Sequence, residues 1–256
     1  MSSASTGTSA GTDGRFSVPD DRPGGPNDRR AAAKWRDARV VEVAHPSADA
    51  VVLRLAVPER VQHHPGQHYV VRLRAPDGYT ASRSYSVASA PSDDLVELFV
   101  ERIEDGEVSG YLADVVEPDD DLEVRGPIGR WFVWNGRTPA VAIGGGSGVA
   151  PLRAMLRHAQ DLGHPELLRL AVTARTRVLL PYADELAAAG ARIALTREPG
   201  PDHGRLDAAA VAALVDPDAT VYLCGSARFT GAMETLLVDA GQPAGTIRVE
   251  RFGPTA

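Results

Sequence analysis

Apolar and polar residues alternate along 38–44, 51–57, 68–73, 81–89, 95–102 and 122–125, the two-residue period of strands that bury one face. Turn signals separate these runs: Pro46, Pro65-Gly66, Pro76-Asp77-Gly78 and the polar stretch 91–94. Short strands with tight turns predict a small antiparallel barrel of six strands. One helix interrupts it, because 108–116 puts Leu112, Val115 and Val116 at helical spacing after Gly106-Glu107. Gly126-Pro127-Ile128-Gly129 is expected to close this unit as a tight turn before Trp131-Phe132-Val133.

After Thr138 the rhythm changes. Buried-type strands at 139–143, 168–173, 192–196, 221–223 and 247–249 alternate with helical patterns running from the glycine stretch to about Leu162, then at 182–189, 207–215 and 228–240. Strand-helix alternation predicts a Rossmann-like parallel sheet with crossover helices. The fold class is therefore α/β plus all-β, with an antiparallel six-stranded barrel over 34–137 followed by a parallel α/β nucleotide-binding unit over 138–256. The first 33 residues are rich in Ser, Thr, Gly, Pro and Asp, show no period, and set Asp13, Asp20, Asp21 and Asp28 against Arg15, Arg22, Arg29 and Arg30. They are expected to be a disordered, neutral tail.

Composition narrows the function. Across 256 residues, 34 acidic side chains against 27 Lys plus Arg give a net charge of -7, which argues against general nucleic-acid binding. The one cysteine, Cys224, excludes an intramolecular disulfide and a four-cysteine iron-sulfur cluster within the chain. It fits a reducing cytoplasm. With no signal-peptide pattern and no run of about 18 apolar residues, the chain is expected to be cytoplasmic, without membrane insertion. No residue stands out as a metal ligand.

Candidate chemistry sits first in Arg83, Ser84, Tyr85 and Ser86. On a strand, Arg83 and Tyr85 share one face and the serines the other. A guanidinium grips phosphate oxygens, a phenol ring stacks on a flat ring system, and a hydroxyl bonds a ring edge. An ordinary barrel strand explains the four letters alone equally well. At the start of the barrel helix, Gly106, Val108 and Ser109 offer amides and a hydroxyl to an anion, or a simple serine cap.

The second candidate is the run Gly144, Gly145, Gly146, Ser147, Gly148 between a buried strand and a helix, where a diphosphate can approach the backbone. It is not the dinucleotide fingerprint, whose third glycine would fall at Val149, and no Gly-Lys-Ser/Thr follows to make a P-loop. So many glycines argue for binding over a purely structural turn. Ligands of open parallel sheets lie beyond the strands' carboxyl ends, which here carry Thr173 and Arg175, Thr196-Arg197, Cys224-Gly225-Ser226 and Glu250-Arg251-Phe252. No acid ends the second strand to hold a ribose hydroxyl. Thr173, Arg175 and Arg177 suit a ribose phosphate instead, with Tyr182 as a stacking surface for adenine. This favours NADPH over NADH.

In this order the motifs resemble a flavin-dependent reductase of the ferredoxin-NADP reductase superfamily, from about Trp35 to Phe252. Arg83-Ser84-Tyr85-Ser86 resembles the flavin strand and Gly106-Glu107-Val108-Ser109 the flavin-diphosphate turn. The glycine run resembles the nicotinamide-nucleotide loop, Cys224-Gly225 the pair beside the nicotinamide, and Glu250-Arg251-Phe252 the ending whose aromatic covers the flavin. Phe252 stands where a terminal Tyr is commoner, and Gly253-Pro254-Thr255-Ala256 extend past it. The resemblance implies hydride transfer from NADPH or NADH onto FAD, with FMN as the alternative flavin. It implies Ser86 at the redox nitrogen, Tyr85 and Phe252 on the ring faces, and Cys224 and Glu250 shaping the nicotinamide pocket. Electrons would leave to a separate ferredoxin, flavodoxin, haem protein, oxygenase component or small oxidant. A module that binds flavin to sense redox state without turnover is the rival reading.

Overall fold

A computed structural model describes residues 26–253 of the chain. The first sheet is built from β1 (Trp35–Ser47), β2 (Ala50–Ala56), β3 (His68–Arg74), β4 (Thr80–Ser86), β5 (Val96–Glu101) and β6 (Asp121–Ile128). Its order is β4-β3-β6-β1-β2-β5, and every neighbouring pair is antiparallel. The edge strands approach through the bridge Val87↔Leu98 and an Ala88 N–H bond to the Glu97 carbonyl at 2.8 Å. The sheet thus curls like a barrel without closing. Its core is the apolar half of the alternation: Val51, Leu53 and Leu55 of β2 meet Val96, Leu98 and Val100 of β5. Each such fully buried side chain contributes about 1.5–3 kcal/mol.

Three expectations about this region are corrected. A short helix, α1 (Pro26–Ala32), forms in the stretch expected to be disordered. Pro26 opens it with a preset φ, and Asp28 in its first turn suits the positive helix end. The remainder of that tail, 1–25, lies outside the described residues. Gly126, Pro127 and Ile128 continue β6 instead of turning, because a side chain at Gly126 would come within 2.7 Å of the Tyr69 ring and glycine lets the strand lie against it. The turn falls at Gly129, with φ of +117°. Finally, α2 (Glu107–Asp114) stops before Val115, so Leu112 and Val116 are buried while Val115 points to solvent.

The second sheet is parallel throughout, in the order β11-β10-β7-β8-β9. It comprises β7 (Ala140–Gly145), β8 (Leu168–Ala174), β9 (Arg192–Leu195), β10 (Thr220–Ser226) and β11 (Ile247–Phe252). Central β7 is buried on both faces, which is why 140–143 reads as an unbroken apolar run. One face packs against α3 (Ala150–Asp161) through Leu152, Met155 and Leu156. Helix α4 (Ala183–Ala188) adds Leu186 to that layer. The other face packs against α5 (Ala208–Ala212) and α6 (Ala227–Asp239) through Val211, Met233 and Leu237. The chain leaves the centre in opposite directions at β7 and β10. That topological switch point opens a crevice at their carboxyl ends, where Gly144 and Cys224 are register partners. Among the described residues no helix is long and apolar enough to cross a membrane.

Candidate functional site

Strand β4 carries the first cluster. Tyr85 is paired with Tyr69 and Arg83 with Val71, so both share the face of the barrel core, while Ser84 is paired with Val70. Tyr85 is half-buried against that core, and burial pushes its phenol up to about 12. Arg83 lies exposed at the open edge, donating to the Ser82 carbonyl at 2.8 Å, and Ser84 is exposed. Ser86 differs from all three: its side chain is buried and its Oγ has no hydrogen-bond partner. An unpaired buried hydroxyl costs about 1–3 kcal/mol, so this atom is built for a partner that the chain does not supply.

At the start of α2, Gly106 is the N-cap and no side chain caps the helix. Val108 is buried. The expected phosphate hydroxyl is corrected here, because Ser109 Oγ accepts the Ile103 N–H at 3.1 Å and donates to the Gly106 carbonyl at 3.3 Å. Its hydroxyl closes the turn, and what faces outward is backbone. Tyr79 closes over the same end by donating to Glu107 at 3.1 Å.

The glycine run ends β7 and enters a single 3-10 turn, Gly146–Val149, that feeds α3. Packing accounts for more of its glycines than the sequence suggests. Side chains at Gly144 and Gly145 would strike Leu152 and Phe229, and one at Gly148 would lie 2.4 Å from the Cys224 carbonyl. Gly146, with φ of +58° and open space before it, is the position left to a ligand; Ser147 beside it is half-buried. The close approach at Gly148 sets this loop directly on Cys224-Gly225.

Cys224 and Glu250 are register partners on β10 and β11. Burial, then the neighbouring Glu250 charge, pushes the Cys224 thiol well above its ordinary range. Burial raises the Glu250 carboxyl from 4.5 to about 7, and its Oε2 has no hydrogen-bond partner. Phe252 ends β11 opposite Ser226 and packs half-buried against the layer that contains Cys224.

At the ends of β8 and β9 the ribose-phosphate expectation is redistributed. Thr173 spends its hydroxyl on the Ala194 carbonyl at 2.7 Å. Arg177 is held by Asp184 at 2.8 Å, with its amide on Glu198 at 2.6 Å, so acids already claim it. Arg175 stays exposed, and the Arg197 amide bonds its carbonyl at 2.8 Å, bringing a second exposed arginine beside it. Tyr182 is corrected as an adenine platform. Its hydroxyl donates to Glu97 at 2.9 Å, the Arg153 guanidinium lies 4.0 Å from its ring centroid, and Phe99 meets its edge.

Those contacts belong to a feature that sequence reasoning missed. Arg153, buried in α3, donates to Glu97 at 2.6 Å and to the Ala88 carbonyl at 3.1 Å in the first sheet, and to Glu185 at 2.7 Å in the second. Arg157 extends the seam to Asp93 and Glu185 at 3.0 and 3.1 Å. The available signal was a charge inside an apolar run, Arg153 between Leu152 and Ala154, and Glu97 between Val96 and Leu98. Such charges are buried only when paired.

Comparison with known proteins fits this geometry. Residues 37–133 match the family model described as the oxidoreductase FAD-binding domain. A flavohemoprotein of Deinococcus radiodurans is 31% identical over 244 residues, covering 86% of this chain and 60% of that protein. The reductase component of a propane 2-monooxygenase from Rhodococcus jostii is 30% identical over 236 residues, covering 84% of this chain and 62% of that protein. A ferredoxin NADP+ reductase structure from Neisseria gonorrhoeae superposes with a TM-score of 0.74 at 20% identity, covering 86% of this chain and 99% of that one. The chain thus spans about 60% of the length of these curated relatives.

Proposed function

Because the chain belongs to the FAD-binding oxidoreductases of ferredoxin-NADP reductase type, we propose that it takes hydride from NADPH onto FAD and passes electrons to a separate acceptor. Bound FAD supplies the conversion of a two-electron hydride into single electrons. The observation that carries this reading is Ser86, whose buried Oγ lacks a partner at the end of the strand bearing Tyr85. In the proposal that hydroxyl meets the flavin's ring edge, and Tyr85 stacks on the ring. Arg83 and the α2 amides near Gly106 and Val108 hold the diphosphate. The barrel unit, 34–137, thus serves the flavin and 138–256 the nucleotide.

Gly146 and the backbone at Cys224-Gly225 would receive the nicotinamide half at the switch point, with Glu250 as the buried acid beside it and Phe252 guarding the entrance. Arg175 and Arg197 are the cations proposed for the ribose phosphate. The acceptor is proposed to be an oxygenase component or a haem protein, the two classes that the relatives' names contain. A cytoplasmic setting goes with this role.

Purified protein heated to release its flavin should yield FAD by chromatography. Stacking on an aromatic ring is worth about 1–3 kcal/mol, so Tyr85→Ala should weaken flavin retention roughly 10- to 100-fold. Release of FMN, or a Tyr85→Ala variant that keeps its full complement, would overturn the assignment.

A further inference from the structure

Resting on that reading, we infer that Arg153 is the positioning residue that sets the nucleotide loop against the flavin strand. Its own helix, α3, is the direct continuation of the Gly146–Val149 turn, so whatever fixes Arg153 fixes that turn. Its Nη1 donates to the carbonyl of Ala88, just past Ser86, and to Glu97, which lies on β5 beside the same segment. One buried guanidinium therefore links the strand that carries the flavin-facing hydroxyl to the loop that carries the nucleotide.

The surroundings hold the guanidinium itself in one orientation. Glu185 accepts from Nε at 2.7 Å, and Tyr182 covers one guanidinium face while bonding Glu97 through its hydroxyl. Arg54 Nε lies 3.9 Å from the other oxygen of Glu97. Arginine's planar fork suits this many-sided grip, and a lysine ammonium does not reproduce it. Such a buried network contributes little net stability compared with apolar residues of the same volume. What it supplies is a fixed distance across the seam, to which transfer between two bound rings is sensitive: a misplacement of about 1 Å costs on the order of 100-fold in rate.

The test compares wild type with R153K and with the double variant E97Q/R153M. In the double variant Glu97 is not left as an unpaired buried charge, and Glu185 retains Arg157 at 3.1 Å. Flavin content, affinity for oxidised NADP+, the limiting rate of flavin reduction by NADPH in anaerobic stopped flow, and the flavin-nicotinamide charge-transfer absorbance are measured for each. The inference predicts a limiting rate at least about tenfold lower and a weakened charge-transfer absorbance, with flavin content and NADP+ affinity within about twofold. A purely structural Arg153 would lower the unfolding midpoint and leave the limiting rate of the folded, flavin-loaded variants at the wild-type value, which overturns the inference. Loss of flavin in both variants overturns it too, since Arg153 would then serve folding of the flavin site itself. Wild type that holds flavin yet takes no hydride from NADPH is a separate result: it sinks the reductase reading, and this inference with it.

Discussion

Replacing Glu250 by glutamine should change how stability depends on pH. The carboxyl is raised from its ordinary 4.5 to about 7 because burial disfavours the charge, and its Oε2 finds no donor. Between those values the folded chain holds a proton that the unfolded chain has released, so the fold loses stability as pH rises through this window. Above about 7 the loss is complete. At about 1.36 kcal/mol per pH unit, the interval from 4.5 to about 7 corresponds to up to about 3 kcal/mol. Glutamine keeps the shape and cannot ionise. Urea unfolding of flavin-loaded wild type and E250Q at pH 5 and pH 8 isolates the contribution, because every other titrating group is common to both proteins. Wild type should lose about 2–3 kcal/mol more than E250Q between the two pH values. A stability gap that is the same at both would show that Glu250 titrates as an ordinary solvated carboxyl and would refute the reasoning.

Three further outcomes follow from the same geometry. Ser86→Ala removes an unpaired buried hydroxyl, so flavin-free protein should be as stable as wild type or up to about 1 kcal/mol more stable, while flavin reduction slows; a destabilised flavin-free variant in urea titration would mean that Ser86 has a partner within the fold. Arg175→Ala should lower kcat/KM for NADPH selectively, with NADH kinetics unchanged, and equal loss with both nucleotides would remove Arg175 from the ribose-phosphate site. Deleting residues 252–256 strips Phe252 from the layer containing Cys224. Stopped-flow reduction should then show altered nucleotide preference and rate at a near-native unfolding midpoint, and unchanged kinetics would dismiss Phe252 as a gate.

Much of the fold was legible because local pattern and tertiary role coincide. The alternation at Val51, Leu53 and Leu55 is the core face of β2, and the continuous apolar run at 140–143 is a strand covered on both sides. The glycine run was legible as a special turn, but the reason for most of its glycines was not. Leu152, Phe229 and the Cys224 carbonyl crowd it from distant parts of the chain, and only the folded packing brings them there. Gly126-Pro127 was misread for a similar reason: local turn chemistry was overridden by the Tyr69 ring from a neighbouring strand. Tyr182 and Arg177 looked free in sequence because Glu97 and Asp184, the acids that engage them, do not announce themselves as partners. Arg153 illustrates the limit most clearly, since its ligands come from Ala88, Glu97 and Glu185 in two different sheets.

The central claim, that this chain passes hydride from NADPH onto a bound FAD, is tested most directly by anaerobic mixing. Purified protein as isolated is combined with NADPH in a stopped-flow cell while the oxidised flavin absorbance is followed. The account predicts rapid bleaching of the whole flavin signal, at a rate that saturates with NADPH, and its return when an electron acceptor is added. Protein that carries flavin yet keeps its oxidised absorbance in the presence of NADPH and of NADH would contradict it.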